Sequence, residues 1–154
     1  MTQESKRKFL IDYLLSSSNA KVSIPDEAIS QKRLLRALLN MRMPRPASAE
    51  FLQILVLHLQ EELRQKGVTD IDCLTPIAPD IYLWKGDITT LKCDGVVNAA
   101  NLQMLGCFCF NHGCIDNAIH MFAGAQMRLE CAQIIGRQRV RRRYKVKQFV
   151  STSI

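Results

Sequence analysis

Val97-Asn98-Ala99-Ala100-Asn101-Leu102-Gln103-Met104-Leu105-Gly106-Cys107-Phe108-Cys109-Phe110-Asn111-His112-Gly113-Cys114-Ile115-Asp116 runs from a short apolar segment, through a loop, into the start of a helical pattern. Within it Cys107, Cys109, His112 and Cys114 fall inside eight residues. Thiolate and imidazole are the ligands that divalent zinc prefers. Cys107, His112 and Cys114 are therefore expected to hold a metal ion on a short loop. Three protein ligands leave a fourth position for water or substrate, whereas a closed structural site would take Cys109 as well. A set of buried thiols without metal is the plainer alternative. Cys73, Cys93 and Cys131 read as ordinary small core residues.

Working outward, Ile81-Tyr82-Leu83-Trp84 reads as a buried strand that runs into Gly86-Asp87. Gly95-Val96-Val97 is a second apolar run ending at Asn98, and Thr89 to Leu91 leaves room for one turn between them. Downstream, Ile115 through Ile135 reads as one long amphipathic helix with Ile119, Phe122, Met127, Leu129, Ile134 and Ile135 mostly inward. Strand, short helix, strand, ligand loop and helix together predict the opening of an α/β fold. Asp87, at the end of the first strand, is placed either to accept a hydrogen bond from a ligand amine or to cap the following turn. Asp116 is a first-turn acid that the helix dipole favours. His120 follows four residues later, on the same helix face. Trp84 is expected to pack against its strand, and His58 sits in a leucine-rich helix without a partner in view.

The first 67 residues are helical by pattern. Ser5 to Leu15 puts Phe9, Leu10, Tyr13 and Leu14 on one face. Pro25-Asp26-Glu27 starts a second helix, which carries Leu34, Leu35, Leu38 and Leu39 and is broken by Pro44 and Pro46. Ser48 caps a third helix through Leu63, with Phe51, Leu52, Leu55, Leu59 and Leu63, and Gly67 stops it.

Composition sets bounds on function. An apolar fraction of 47% is ordinary for a soluble globular protein. No apolar run approaches the ~20 residues that span a bilayer, and no signal-peptide pattern opens the chain. A cytoplasmic location and no membrane partner are expected, and in a reducing compartment six cysteines argue for metal or buried thiols over disulfides. The net charge of +7 is local: Arg137, Arg139, Arg141, Arg142, Arg143, Lys145 and Lys147 supply it, and no acid follows Glu130. Residues 137–154 therefore read as a disordered basic tail that meets nucleic acid only non-specifically. Phe149 to Ile154 has strand character but no evident partner.

Four motifs in order resemble the macrodomain family. They are Gly86-Asp87-Ile88-Thr89, then Val97-Asn98-Ala99-Ala100-Asn101, the ligand loop, and Cys114-Ile115-Asp116-Asn117-Ala118-Ile119-His120 followed by Ala123-Gly124. The Cys-x4-His-x-Cys insert is similar to the zinc-containing bacterial branch, which removes ADP-ribose from proteins. The resemblance covers Trp84 to Ile135 closely and the helical region loosely. It implies an α/β fold (α+β by count), with a helical cap over 1–67 and the start of a three-layer α/β/α macrodomain over 68–136. It implies ADP-ribose and an ADP-ribosylated protein, of lipoyl-carrier type, as partners, and Zn2+ as cofactor. By that resemblance Asp87, Ile88, Asn101 and Gly113 bind the ligand, with Asp87 taking the adenine amino group. Asn101 reaches the distal ribose, Asp116 orients the attacking water, and these two are the expected catalytic residues. Asn98 is expected to be structural. The resemblance also implies a second diphosphate loop after Gly136, and because residues 137–154 do not read as one, they are expected to be a frame-shifted tail on a truncated copy. Three functions follow as expectations: a zinc-dependent hydrolase, an ADP-ribose-binding module without turnover, or a non-functional truncated remnant.

Overall fold

The structure is a computed structural model that describes residues 1–18, 20–139 and 148–150. It is mixed α/β, with a helical region first. The helices α1 (Gln3–Ser18), α2 (Ala28–Met41) and α3 (Ala49–Lys66) pack around Leu10, Ile11, Leu14, Leu35, Leu39, Phe51, Ile54, Leu55 and Leu59. Phe51 is fully buried and its ring stacks on Tyr13 at 4.3 Å between centroids. Burying a side chain of this size contributes about 1.5–3 kcal/mol, so this one aromatic joins α1 to α3 with real weight. The ends of α3 follow local chemistry. Ser48 accepts a hydrogen bond from the Phe51 N–H, and Gly67 takes a φ of +85° to end the helix.

Three polar residues inside this region escape the apolar pattern. Arg7 Nε donates to Gln31 Oε1 at 3.0 Å, and Gln31 Nε2 donates to the Pro25 carbonyl at 2.7 Å, so a buried bridge joins α1 to the start of α2. His58 is 3% exposed and its Nδ1 has no hydrogen-bond partner. Burial drives its pKa from the ordinary 6.5 down to about 4. As pH falls below 6.5 the unfolded chain takes up a proton that the folded chain refuses until about 4. Stability is therefore lost across that window, by about 1–3 kcal/mol after allowance for solvent screening. His58→Leu should lose less stability than the parent between pH 7 and pH 4.5 in thermal unfolding. Equal losses would show that His58 is not the titrating group.

Beyond α3 the strands are short. Among the described residues they form three pairs: β1 (Thr69–Asp70) parallel to β4 (Leu91–Lys92), β2 (Pro76–Ala78) antiparallel to β3 (Ile81–Tyr82), and β5 (Val96–Asn98) antiparallel to β6 (Gln148–Val150). The strand expected over Ile81 to Trp84 is corrected in length and burial. It covers only Ile81–Tyr82, and Ile81 and Leu83 are exposed, because its described ladder is to β2 across a turn at Asp80 (φ 60°). Trp84 is half-buried and folds back over Gly86, where a Cβ would clash with its ring.

The single helix expected over Ile115 to Ile135 is two. The first, α4 (Ile115–Phe122), ends at Ala123 and Gly124, whose φ of +84° no ordinary helix accepts, and α5 (Ala125–Arg139) follows. Thus α5 continues past Gly136 into the segment read as tail. The strand expected near Phe149 has a partner after all, with Val97 opposite Phe149 and Asn98 opposite Gln148. Arg141, Arg142, Arg143, Lys145, Lys147 and residues 151–154 lie outside the described residues.

Candidate functional site

The loop between β5 and α4 is shaped by Asn101. Its Oδ1 accepts the N–H groups of Gln103 (2.9 Å) and Met104 (3.2 Å), and its Nδ2 donates to the Gly106 carbonyl at 3.2 Å. Such an Asx turn is what a short amide side chain does best. Gly106 has a φ of +79°, and a Cβ there would meet the His120 ring at 2.9 Å and the Arg128 guanidinium at 3.0 Å. Glycine is thus required on two counts where the loop turns toward the ligand run.

That turn brings Cys107, His112 and Cys114 together. One ligand atom from each lies within 4.8 Å of the others, and Cys107 Sγ is 3.4 Å from His112 Nδ1. Donors around a tetrahedral zinc stand roughly 3.5–3.8 Å apart, given bonds of ~2.3 Å to sulfur and ~2.0 Å to nitrogen. The donor set therefore fits zinc, with the Cys107–His112 pair close to that spacing and the trio as a whole within 4.8 Å. Cys114 also caps α4, its Sγ accepting the Asn117 N–H at 3.4 Å. Desolvation, followed by the neighbouring Cys114, pushes the Cys107 thiol up. Two adjacent thiols resist joint ionisation, and a cation would relieve that. Cys109 is exposed and outside the trio.

Two residues past Cys114, Asp116 is 5% exposed on the first turn of α4. Asn98 Nδ2, from the end of β5, donates to its Oδ1 at 2.8 Å. His120 Nε2 lies 3.6 Å from the same oxygen, as the i, i+4 spacing requires. Burial first, with Asp116 opposing, takes the His120 pKa down to about 4, so the imidazole is neutral at pH 7 and no ion pair forms. Asn98 thus holds the acid, which gives its expected structural role a specific partner.

Asp87 caps the turn Ile88–Thr90, accepting from Thr89 N (3.0 Å) and Thr89 Oγ1 (2.6 Å) on Oδ1. Lys66 Nζ, from the end of α3, reaches its Oδ2 at 2.9 Å and lies 3.6 Å over the Phe122 ring. Partial burial raises the Asp87 pKa, but the bonds from Thr89 and Lys66 outweigh it and hold the carboxyl below its ordinary value. Both readings of Asp87 remain compatible: it caps the turn, and half its side chain is exposed to a ligand. Ile88 is half-buried in that turn, and Gly113 is exposed, with open space where a Cβ would stand.

The structure thus gathers Asn98, Asp116 and the trio Cys107, His112 and Cys114, and it leaves Asp87 tied to α3. Sequence reasoning missed Lys66, Arg36, Asn117 and Arg128. The one local signal was for Lys66, a cation in the last turn before Gly67.

Residues 97–153 match the family model described as Macro domain, a span that includes Asn98, Asn101, the ligand loop and Asp116. The chain is 50% identical over 144 residues to a protein-ADP-ribose hydrolase of Treponema medium, covering 90% of this chain and 55% of that protein. It is 43% identical over 138 residues to a protein-ADP-ribose hydrolase of Staphylococcus aureus (strain COL), covering 85% of this chain and 52% of that one. The chain spans about half the length of the curated relatives it matches.

Proposed function

We propose, on the premise that residues 97–153 are macrodomain sequence, that this chain binds the ADP-ribose group of modified proteins and serves its hydrolytic removal, with zinc held by Cys107, His112 and Cys114. The observation that carries the reading is the convergence of three zinc-type donors beside the buried Asn98–Asp116 pair. The two are close enough for Asp116 to act electrostatically on the Cys107 thiol.

When bound, zinc supplies a Lewis acid for an oxygen of the distal ribose. The remaining duties fall to side chains and backbone. The N-terminus of α4 offers N–H groups and the positive end of its dipole to the diphosphate, and the open space at Gly113 allows close approach. Asp87 has an exposed carboxylate for the adenine amino group. Asn101 fixes the loop from which the ribose is reached. Both contacts to Asp116 named above use Oδ1, and Oδ2 is assigned to orienting the attacking water. Asn98 keeps that carboxylate from rotating. The substrate protein is proposed to be of lipoyl-carrier type and the location cytoplasmic. No helix among the described residues is long and apolar enough to cross a membrane.

Zinc-loaded chain should bind ADP-ribose in calorimetry and release it from an ADP-ribosylated protein, and a chelator should abolish release. Binding without release would favour a binding module. Absence of both would end the proposal.

A further inference from the structure

Arg36 projects from α2 toward the ligand loop. Its Nη2 donates to the His112 carbonyl at 3.1 Å and to Asn117 Oδ1 at 3.3 Å. Asn117 is 1% exposed, and it donates its Nδ2 to the Cys109 carbonyl at 3.3 Å and its N–H to Cys114 Sγ at 3.4 Å. One guanidinium from the helical region therefore touches the backbone of one donor residue and the amide that grips the rest of the loop.

A second tie runs through α5. Arg128 is 6% exposed, and its Nη1 donates to the carbonyls of Leu39 (3.1 Å), Asn40 (2.9 Å) and Arg42 (2.6 Å) at the end of α2. Its guanidinium carbon lies 4.7 Å from the centre of the Phe108 ring. Phe108 stands between Cys107 and Cys109, so the end of α2 is linked through Arg128 to the first donor. The Asn101 turn fixes the start of the loop and Asn117 its middle, while Phe110 and His112 themselves are exposed.

We infer that α2 is a working part of the metal centre, with Arg36 and the Arg128–Phe108 pair as positioning residues that hold Cys107, His112 and Cys114 in their ligating arrangement. This rests on the zinc reading given above. A loop already ordered by neighbours gives up less freedom when it closes on an ion, and loss of groups that orient metal ligands typically costs 10–100-fold in affinity.

Arg36→Gln and Phe108→Leu test the two ties separately, and the second leaves the carbonyl bonds of Arg128 intact. Arg33→Gln, an exposed charge on the same helix, is the control. Zinc transfer to a chromogenic chelator should be about 10–100-fold more favourable for each clamp variant, and unchanged for the control. Cobalt substituted for zinc should give an altered d–d spectrum in both variants, which a loss of general stability alone would not produce. Parent-like transfer and spectra in both would overturn the clamp while leaving the zinc site standing. A parent chain that takes up neither metal would overturn the zinc reading, and the clamp with it.

Discussion

Zinc that accompanies the purified chain should fall from ~1 equivalent to near none in Cys107→Ser and in Cys114→Ser, and should be retained in Cys109→Ser. The spacing of the donors is the reason. Cys107, His112 and Cys114 place ligand atoms within 4.8 Å of one another, and Cys109 is exposed outside the trio. Serine keeps the size of the side chain but gives up the soft donor, so the two ligand variants lose affinity without a packing defect. Metal content by mass spectrometry, after purification without added zinc, decides it. Equal zinc in the parent and Cys114→Ser would remove the assignment. Loss of zinc in Cys109→Ser as well would make the site a closed structural one.

The parts of this molecule that sequence made legible are those whose cause is local. Ser48 and Gly67 delimit α3 because a cap and a positive-φ stop act within one turn. The clustering of Cys107, His112 and Cys114 was legible because they fall within eight residues and need only one loop to meet. Asp116 and His120 were legible as an i, i+4 pair. What stayed hidden depends on distant chain. The apolar run Ile81 to Trp84 looks the same whether a sheet covers it or, as here, it pairs with β2 in an exposed ribbon. The break at Gly124 was masked because the apolar residues on either side kept helical spacing. Arg36 and Arg128 gave no signal, since nothing in their neighbourhood foretells carbonyls 76 and 86–89 residues away. The family match reaches residue 153, so it also takes in the basic run that composition alone had set apart.

Asp116→Asn should depress the release of ADP-ribose from modified protein by about 100-fold or more, the usual weight of a positioned acid–base group. It should leave ADP-ribose binding within a few-fold of the parent. The amide keeps the shape of the side chain at a 5% exposed site, so packing is spared. What it loses is the charge on an oxygen held by Asn98 at 2.8 Å, and with it the ability to orient and polarise water. Asp87→Ala should do the opposite. It removes an acceptor for the adenine amino group, which costs about 1.5–3 kcal/mol, or roughly ten- to a hundred-fold in affinity. It also frees Lys66 and uncaps the turn Ile88–Thr90, so thermal unfolding must accompany the titration. Single-turnover rates at saturating zinc-loaded enzyme, set beside calorimetric affinities, separate the two effects. If Asp116→Asn turns over like the parent, the carboxylate has no part in moving water. If Asp87→Ala alone matters and the parent itself releases nothing, the chain binds ADP-ribose and leaves the bond intact.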